Sequence, residues 1–177
     1  MSYTHILTMP VPILDEHNLR QLPVRERLDK CALILKTSTD ESLRWDAVWL
    51  AGEISETVDK NDPIFEAVAD LMGWILQNDD NGVVKHEACY QIAARNMRNK
   101  IPDLIHTALY DKSTIAKHEA IESLGLMRAF ESKELISKAL EDPVYDVSET
   151  AAFVLKRLNR LEKFTGTERQ YKPSDII

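Results

Sequence analysis

The chain reads as an all-α protein, an α-solenoid of about four helical hairpins. Three observations predict this. Apolar residues recur at helical period in the segments between breaks. The 5 Gly and 7 Pro of 177 residues fall mostly at those breaks, and runs of β-branched residues are few. One pattern of about ten residues also returns four times along the chain.

Helices are expected at 24–36, 40–54, 63–77, 82–97, 101–110, 114–128, 131–140 and 145–163. Asp62 followed by Pro63 is a cap with a first-turn proline, Pro102 opens another helix, and Asp142-Pro143 breaks the chain before the last. The other boundaries rest on periodicity. Eight helices make four pairs, and the second helix of each pair carries the repeat. Leu43-Arg44-Trp45-Asp46-Ala47-Val48 is followed by Val84-Lys85-His86-Glu87-Ala88-Cys89, Ala116-Lys117-His118-Glu119-Ala120-Ile121 and Val147-Ser148-Glu149-Thr150-Ala151. The acidic position recurs at 46, 87, 119 and 149, so the periods are 41, 32 and 30 residues, the lengths of HEAT-type repeats. Each hairpin leaves an apolar face that only its neighbour can cover, which explains the small Ala and Gly where helices approach. Residues 1–23, with Pro10, Pro12 and Pro23, are expected to form an extended arm across the first repeat. Residues 24–164 form the repeat domain, and 165–177 are a polar tail.

With 44% apolar residues, a chain of this size can bury one sizeable core. The 22 basic and 29 acidic side chains give a formal charge of -7, which argues against nucleic acid and suits a neutral or cationic partner. Cys31 and Cys89 are the only cysteines and neither belongs to a CxxC pair, so disulfides and thiolate zinc sites have no support and reduced cytosol fits best. No apolar run approaches the roughly 20 residues of a membrane span.

The chemistry-bearing feature is His86-Glu87 and His118-Glu119, one dipeptide at one place in two consecutive repeats, each preceded by Lys and followed by Ala. Stacked repeats bring equivalent positions to about 10 Å between helix axes, close enough for two imidazoles and a carboxylate to converge. Nitrogen and carboxylate donors without thiolate suit non-haem iron(II), and zinc or manganese by ligand type. The plainer alternative makes both dipeptides ordinary helix residues, the Glu meeting the macrodipole and the His packing against a neighbour. His5, His17 and His106 do not recur and stay outside the site. Trp45 and Trp49 share a face, and a place in the core explains such a pair better than a substrate platform, so they are expected in the core. Asp46 and Glu149 hold the acidic position without a preceding histidine and are read as capping-repeat residues at the rim.

From Arg44 to about Glu162, two thirds of the chain, the sequence resembles one half of deoxyhypusine hydroxylase, a HEAT-repeat di-iron enzyme whose halves each carry two His-Glu motifs. Lys85-His86-Glu87-Ala88-Cys89-Tyr90 is similar to the first motif of a half, and Lys117-His118-Glu119-Ala120 with Glu122-Ser123-Leu124-Gly125 to the second. Asp142-Pro143-Val144-Tyr145-Asp146 and the residues up to Glu162 resemble the close of the family's N-terminal half. The resemblance implies that His86, Glu87 and His118 are metal ligands. It implies that Glu119 is the carboxylate facing the metal or the substrate amines, and so a catalytic, metal-binding and substrate-binding residue. It further implies iron as cofactor, dioxygen as co-substrate and, as substrate, the cationic deoxyhypusine side chain of translation initiation factor 5A.

Two departures stand out. The chain has one half and two motifs, and Gln91-Ile92-Ala93-Ala94 lacks the glycine expected after the first motif. His86, Glu87, His118 and Glu119 suffice for one iron and are poor for two, so a homodimer with two irons per dimer is expected. The competing functions are a non-catalytic HEAT-repeat scaffold and a di-iron protein that binds or senses oxygen.

Overall fold

The computed structural model describes residues 14–163. Among them are nine α-helices and three single turns of 3-10 helix, with no strand. A short α1 (Glu16–Gln21) precedes four hairpins: α2 (Val24–Thr37) with α3 (Glu41–Ile54), α4 (Pro63–Asn78) with α5 (Gly82–Ala94), α6 (Ile101–Tyr110) with α7 (Thr114–Leu126), and α8 (Lys133–Lys138) with α9 (Tyr145–Glu162). First helices pack on first helices and second on second, giving two layers. The all-α repeat architecture is therefore as the sequence predicts. No described helix is long and apolar enough to cross a membrane.

Local chemistry sets the helix starts. Asp40, Asp62, Asn81 and Ser113 each accept a hydrogen bond from a first-turn amide of the helix they precede. The ends of α5 and α7 are also alike: Asn96 and Arg128 take φ of 53° and 52°, and Met97 N–H and Ala129 N–H reach back to the Ile92 and Leu124 carbonyls. This left-handed turn stops both helices short of the expected 97 and 128. The segment expected as a helix over 131–140 is split between α8 and 3-10 turns at Phe130–Ser132 and Ala139–Glu141. In the arm expected over 1–23, residues 16–21 are helical because Asp15 caps them by accepting from Asn18 N–H. Residues 1–13 and the tail at 165–177 lie outside the described residues.

The lysine before each His-Glu pair has a structural use. Arg44 makes a two-pronged pair with Asp79 (2.8 and 3.0 Å), Lys85 pairs with Asp111 (2.5 Å), and Lys117 with Asp142 (2.6 Å). Each of these aspartates ends the preceding helix or turn and also accepts from the backbone amide two residues on, at 2.8–2.9 Å. One carboxylate thus stops the first helix, shapes the turn and ties down the second helix of its hairpin. Burial raises the Asp142 carboxyl, but Lys117 and the Val144 amide outweigh it and hold it below its usual value. Its contribution to stability is present above the usual carboxylate range and is lost as pH falls through its folded value. Asp111→Ala removes the pair and the turn acceptor together and should cost about 3 kcal/mol in urea denaturation. Asp111→Asn, which keeps an acceptor, should cost less, and equal losses would place the whole effect in the ion pair.

The core runs through both layers, with Val48, Val84, Ile92, Ile121, Leu124 and Ala151 inaccessible or nearly so. Gly52, Ala93 and Gly125 are the twelfth residues of α3, α5 and α7. A Cβ at Gly52 would lie 1.9 Å from the Gln91 amide oxygen, and one at Gly125 2.9 Å from Val154. At the middle position alanine is accommodated, and α5 runs regularly through it to Ala94. Trp45 and Trp49, expected in the core, are instead 37% and 36% exposed. One helical turn apart on α3, they stack on each other with centroids 6.4 Å apart and planes at 12°, on its solvent side.

Candidate metal centre

His86 and His118 are the fifth residues of α5 and α7, so equal register places both on the same face of the second-helix layer. The two helices pack directly against each other. Across that contact His86 Nε2 lies 3.1 Å from Glu119 Oε2, so the imidazole of one repeat meets the carboxylate of the next. Both glutamates are buried, at 6% exposure each, while the two histidines are half-buried at the surface of the layer.

The other two predicted residues are held differently. The Gln91 side-chain amide donates to Glu87 Oε1 at 2.6 Å. Gln91 is fully buried, wedged toward Gly52, and its own amide oxygen has no partner among the described residues. His118 Nδ1 lies 2.8 Å from Thr150 Oγ1 on α9, and its Nε2 lies 3.7 Å from Glu122 Oε2. Among the described residues, no group of three His, Cys, Asp or Glu side chains already stands at metal-binding spacing. The structure thus joins His86 to Glu119 directly, and brings Glu87 and His118 to the same face on separate supports.

Thr150 fixes which nitrogen of His118 carries hydrogen. Its hydroxyl donates its single proton to the Asp146 carbonyl at 2.6 Å, so its oxygen must accept from His118 Nδ1–H. The neutral ring then has a bare lone pair on Nε2, the form in which imidazole binds a metal.

The electrostatics favour a cation. Burial first, then the charges of Glu122 and Glu87, raise the Glu119 carboxyl to about 7, against a smaller opposing effect of the Ser123 hydroxyl. Cys89 is fully buried, and burial followed by the charges of Glu119 and Asp111 pushes its thiol well up, so it remains an uncharged packing group. Imidazole and carboxylate donors without a thiolate form a donor set that fits non-haem iron.

Elsewhere, His106 packs against Tyr110 along α6 in the other layer, the rings tilted at 55° with centroids 5.4 Å apart, and Glu149 accepts from the Tyr145 hydroxyl at 3.2 Å. His17 lies on α1, and His5 lies outside the described residues. The sequence does not mark Gln91, Glu122 or Thr150 as site residues. Gln91 carried a signal, a polar residue in the register that Leu50 and Ser123 hold in α3 and α7. Thr150 carried none, because only the packing of α9 on α7 brings it to His118.

No family model matches the chain. Among curated proteins, it is 32% identical to human deoxyhypusine hydroxylase over 99 residues, which is 54% of this chain and 32% of the human protein. The zebrafish (Danio rerio) enzyme is 34% identical over 97 residues, 52% of this chain and 32% of that protein. The Schizosaccharomyces pombe enzyme is 26% identical over 147 residues, 79% of this chain and 43% of that protein. A solved structure of human deoxyhypusine hydroxylase in complex with glycerol superposes with a TM-score of 0.67 at 22% identity, covering 84% of this chain and 49% of that one. The chain spans less than half the length of these relatives. In sequence and in helical-repeat fold, this chain is thus similar to about one half of a deoxyhypusine hydroxylase.

Proposed function

We propose that the chain is an iron-dependent hydroxylase of the deoxyhypusine hydroxylase type, acting on a cationic, polyamine-like side chain of a protein such as translation initiation factor 5A. The observation that carries the reading is the meeting of His86 Nε2 and Glu119 Oε2 at 3.1 Å between consecutive repeats. His86, Glu87, His118 and Glu119 would hold the metal. When bound, iron supplies the activation of dioxygen that oxidation of an unactivated C–H bond requires.

The chain's own residues do the rest. Thr150 presents His118 Nε2 as a lone pair, and Gln91 holds Glu87 by one oxygen and leaves the other free. Glu122, beside His118 and partly exposed, offers a carboxylate to an incoming ammonium group. The negative surface attracts such a substrate at long range. Iron analysis and an optical spectrum of aerobically purified protein test the reading. Bound iron and turnover of a polyamine-modified protein are expected, and an iron-free protein of full helical content would favour the scaffold.

The Glu119 carboxyl gives the site a pH signature. Without metal, the folded chain keeps this group protonated up to about 7. An unfolded carboxyl ionises at a lower pH, so the group's contribution to stability is full in acid and is lost as pH rises toward neutrality. Iron must displace that proton, so apparent affinity should climb between about pH 6 and 8 in metal titrations. Glu119→Gln should flatten the slope if that carboxylate binds the metal, and should leave the slope unchanged and retain more metal than Glu87→Gln if it serves mainly the substrate. Equal loss in both variants would assign both carboxylates to the metal.

Four donors per chain serve one ion well. A two-fold contact that sets a second copy's donors opposite the first supplies the other half of a two-iron centre, with about one iron per chain. Sedimentation over a concentration series, with iron measured on each species, should show iron following the dimer. An iron-replete monomer would defeat the dimer and leave the ligand assignment standing.

A further inference from the structure

We propose that Trp45 and Trp49, with Asp46 and Glu16, form a docking pocket for an alkylammonium group, the protonated side chain of a lysine-type residue on a partner protein. The pocket encloses about 220 Å³ and is lined by Glu16, Arg20, Trp45, Asp46, Trp49 and Leu50. That is smaller than the roughly 300–1,000 Å³ of a site for a whole small molecule, and it suits the end of one side chain presented by something larger.

The indoles are placed to receive a cation. They are exposed on α3, and Trp49 is fixed by donating its indole N–H to Glu53 Oε1 at 3.1 Å. An ammonium group over an indole face within about 6 Å is attracted by the ring's negative face. The chain uses this contact internally, since Lys36 Nζ lies 5.4 Å from the Trp74 ring. Among the described residues, no cation stands over Trp45 or Trp49. Arg20, the one cation lining the pocket, is already engaged by Glu53 and Glu16.

The charge beside the rings is also unanswered. Asp46 is half-buried, and no other described residue pairs with its carboxylate. Burial, then Glu16 and Asp40, raise that carboxyl, as expected of an acid among acids. Residues 1–13, which precede α1 beside the pocket, contain no lysine or arginine. Trp45 and Asp46 are the fifth and sixth residues of α3, the register of His86-Glu87 in α5 and His118-Glu119 in α7. The pocket therefore lies on the face of the candidate metal centre, about one repeat spacing, or roughly 10 Å, from it.

The test needs no metal, so its outcome is separate from that of the hydroxylase reading. In a Trp74→Phe background, Trp45 and Trp49 are the only indoles of the three in the chain, and they report binding by fluorescence. Titration with n-butylammonium chloride should change the emission saturably, whereas 1-butanol and matched sodium chloride should not. Asp46→Asn, checked for wild-type circular dichroism, should weaken the amine by roughly threefold or more. An end-blocked lysine peptide should bind more tightly than butylammonium, and its acetyl-lysine counterpart should not bind. A response to butanol equal to that of the amine, no saturable response, or unchanged affinity in Asp46→Asn overturns the pocket. A peptide no tighter than the free amine overturns its assignment to a protein side chain.

Discussion

Replacing His86 or His118 by alanine is expected to remove most bound iron while the helical circular-dichroism signal stays near wild type. Both rings are half-buried at the surface of the second-helix layer, so truncating either leaves little cavity in the core. His86→Ala does strip the buried Glu119 of its partner. That carboxyl, already raised to about 7 by burial and by Glu122 and Glu87, can sit protonated and avoid an unpaired charge. The two variants should therefore separate metal binding from folding. Full iron stoichiometry in both would sink the site, and loss of helix would show that the histidines are structural.

Thr150→Val should have the next largest effect, lowering iron affinity by about tenfold or more without touching a ligand. Valine matches threonine in shape and cannot accept from His118 Nδ1–H, so the ring loses the contact that keeps Nε2 bare and aimed outward. Thr150→Ser should restore affinity. Nitrogen chemical shifts of His118 in the metal-free protein give a second readout. They should show a single Nδ1–H form in the wild type and a mixture in Thr150→Val. Unchanged metal affinity in the valine variant, or an Nε2–H ring in the wild type, would remove Thr150 from the site.

The sequence carried the architecture because repeats announce themselves locally. Apolar period, the Asp62-Pro63 start and the recurring acidic position fix helix register within each hairpin. Two dipeptides in equal register must then share a face. It also carried two misleading cues. Periodicity ran α5 and α7 through Asn96 and Arg128, where a left-handed residue ends each helix. Aromatic pairs usually signal a core, yet Trp45 and Trp49 cover one another on the outside.

By itself, then, the sequence determined the all-α solenoid, its four hairpins and the placement of His86, Glu87, His118 and Glu119 on one face. Only the tertiary structure decided that His86 meets Glu119, that Thr150 from α9 orients His118, that Gln91 packs against Gly52 of the neighbouring repeat, and that the tryptophans face outward. The reason is range. Helix register follows from bonds and caps spanning a few residues, whereas side-chain partners lie 32 or 33 positions apart, as in His118–Thr150 and His86–Glu119. Those partners are chosen by how closely neighbouring helices approach, which the packing of every repeat sets together.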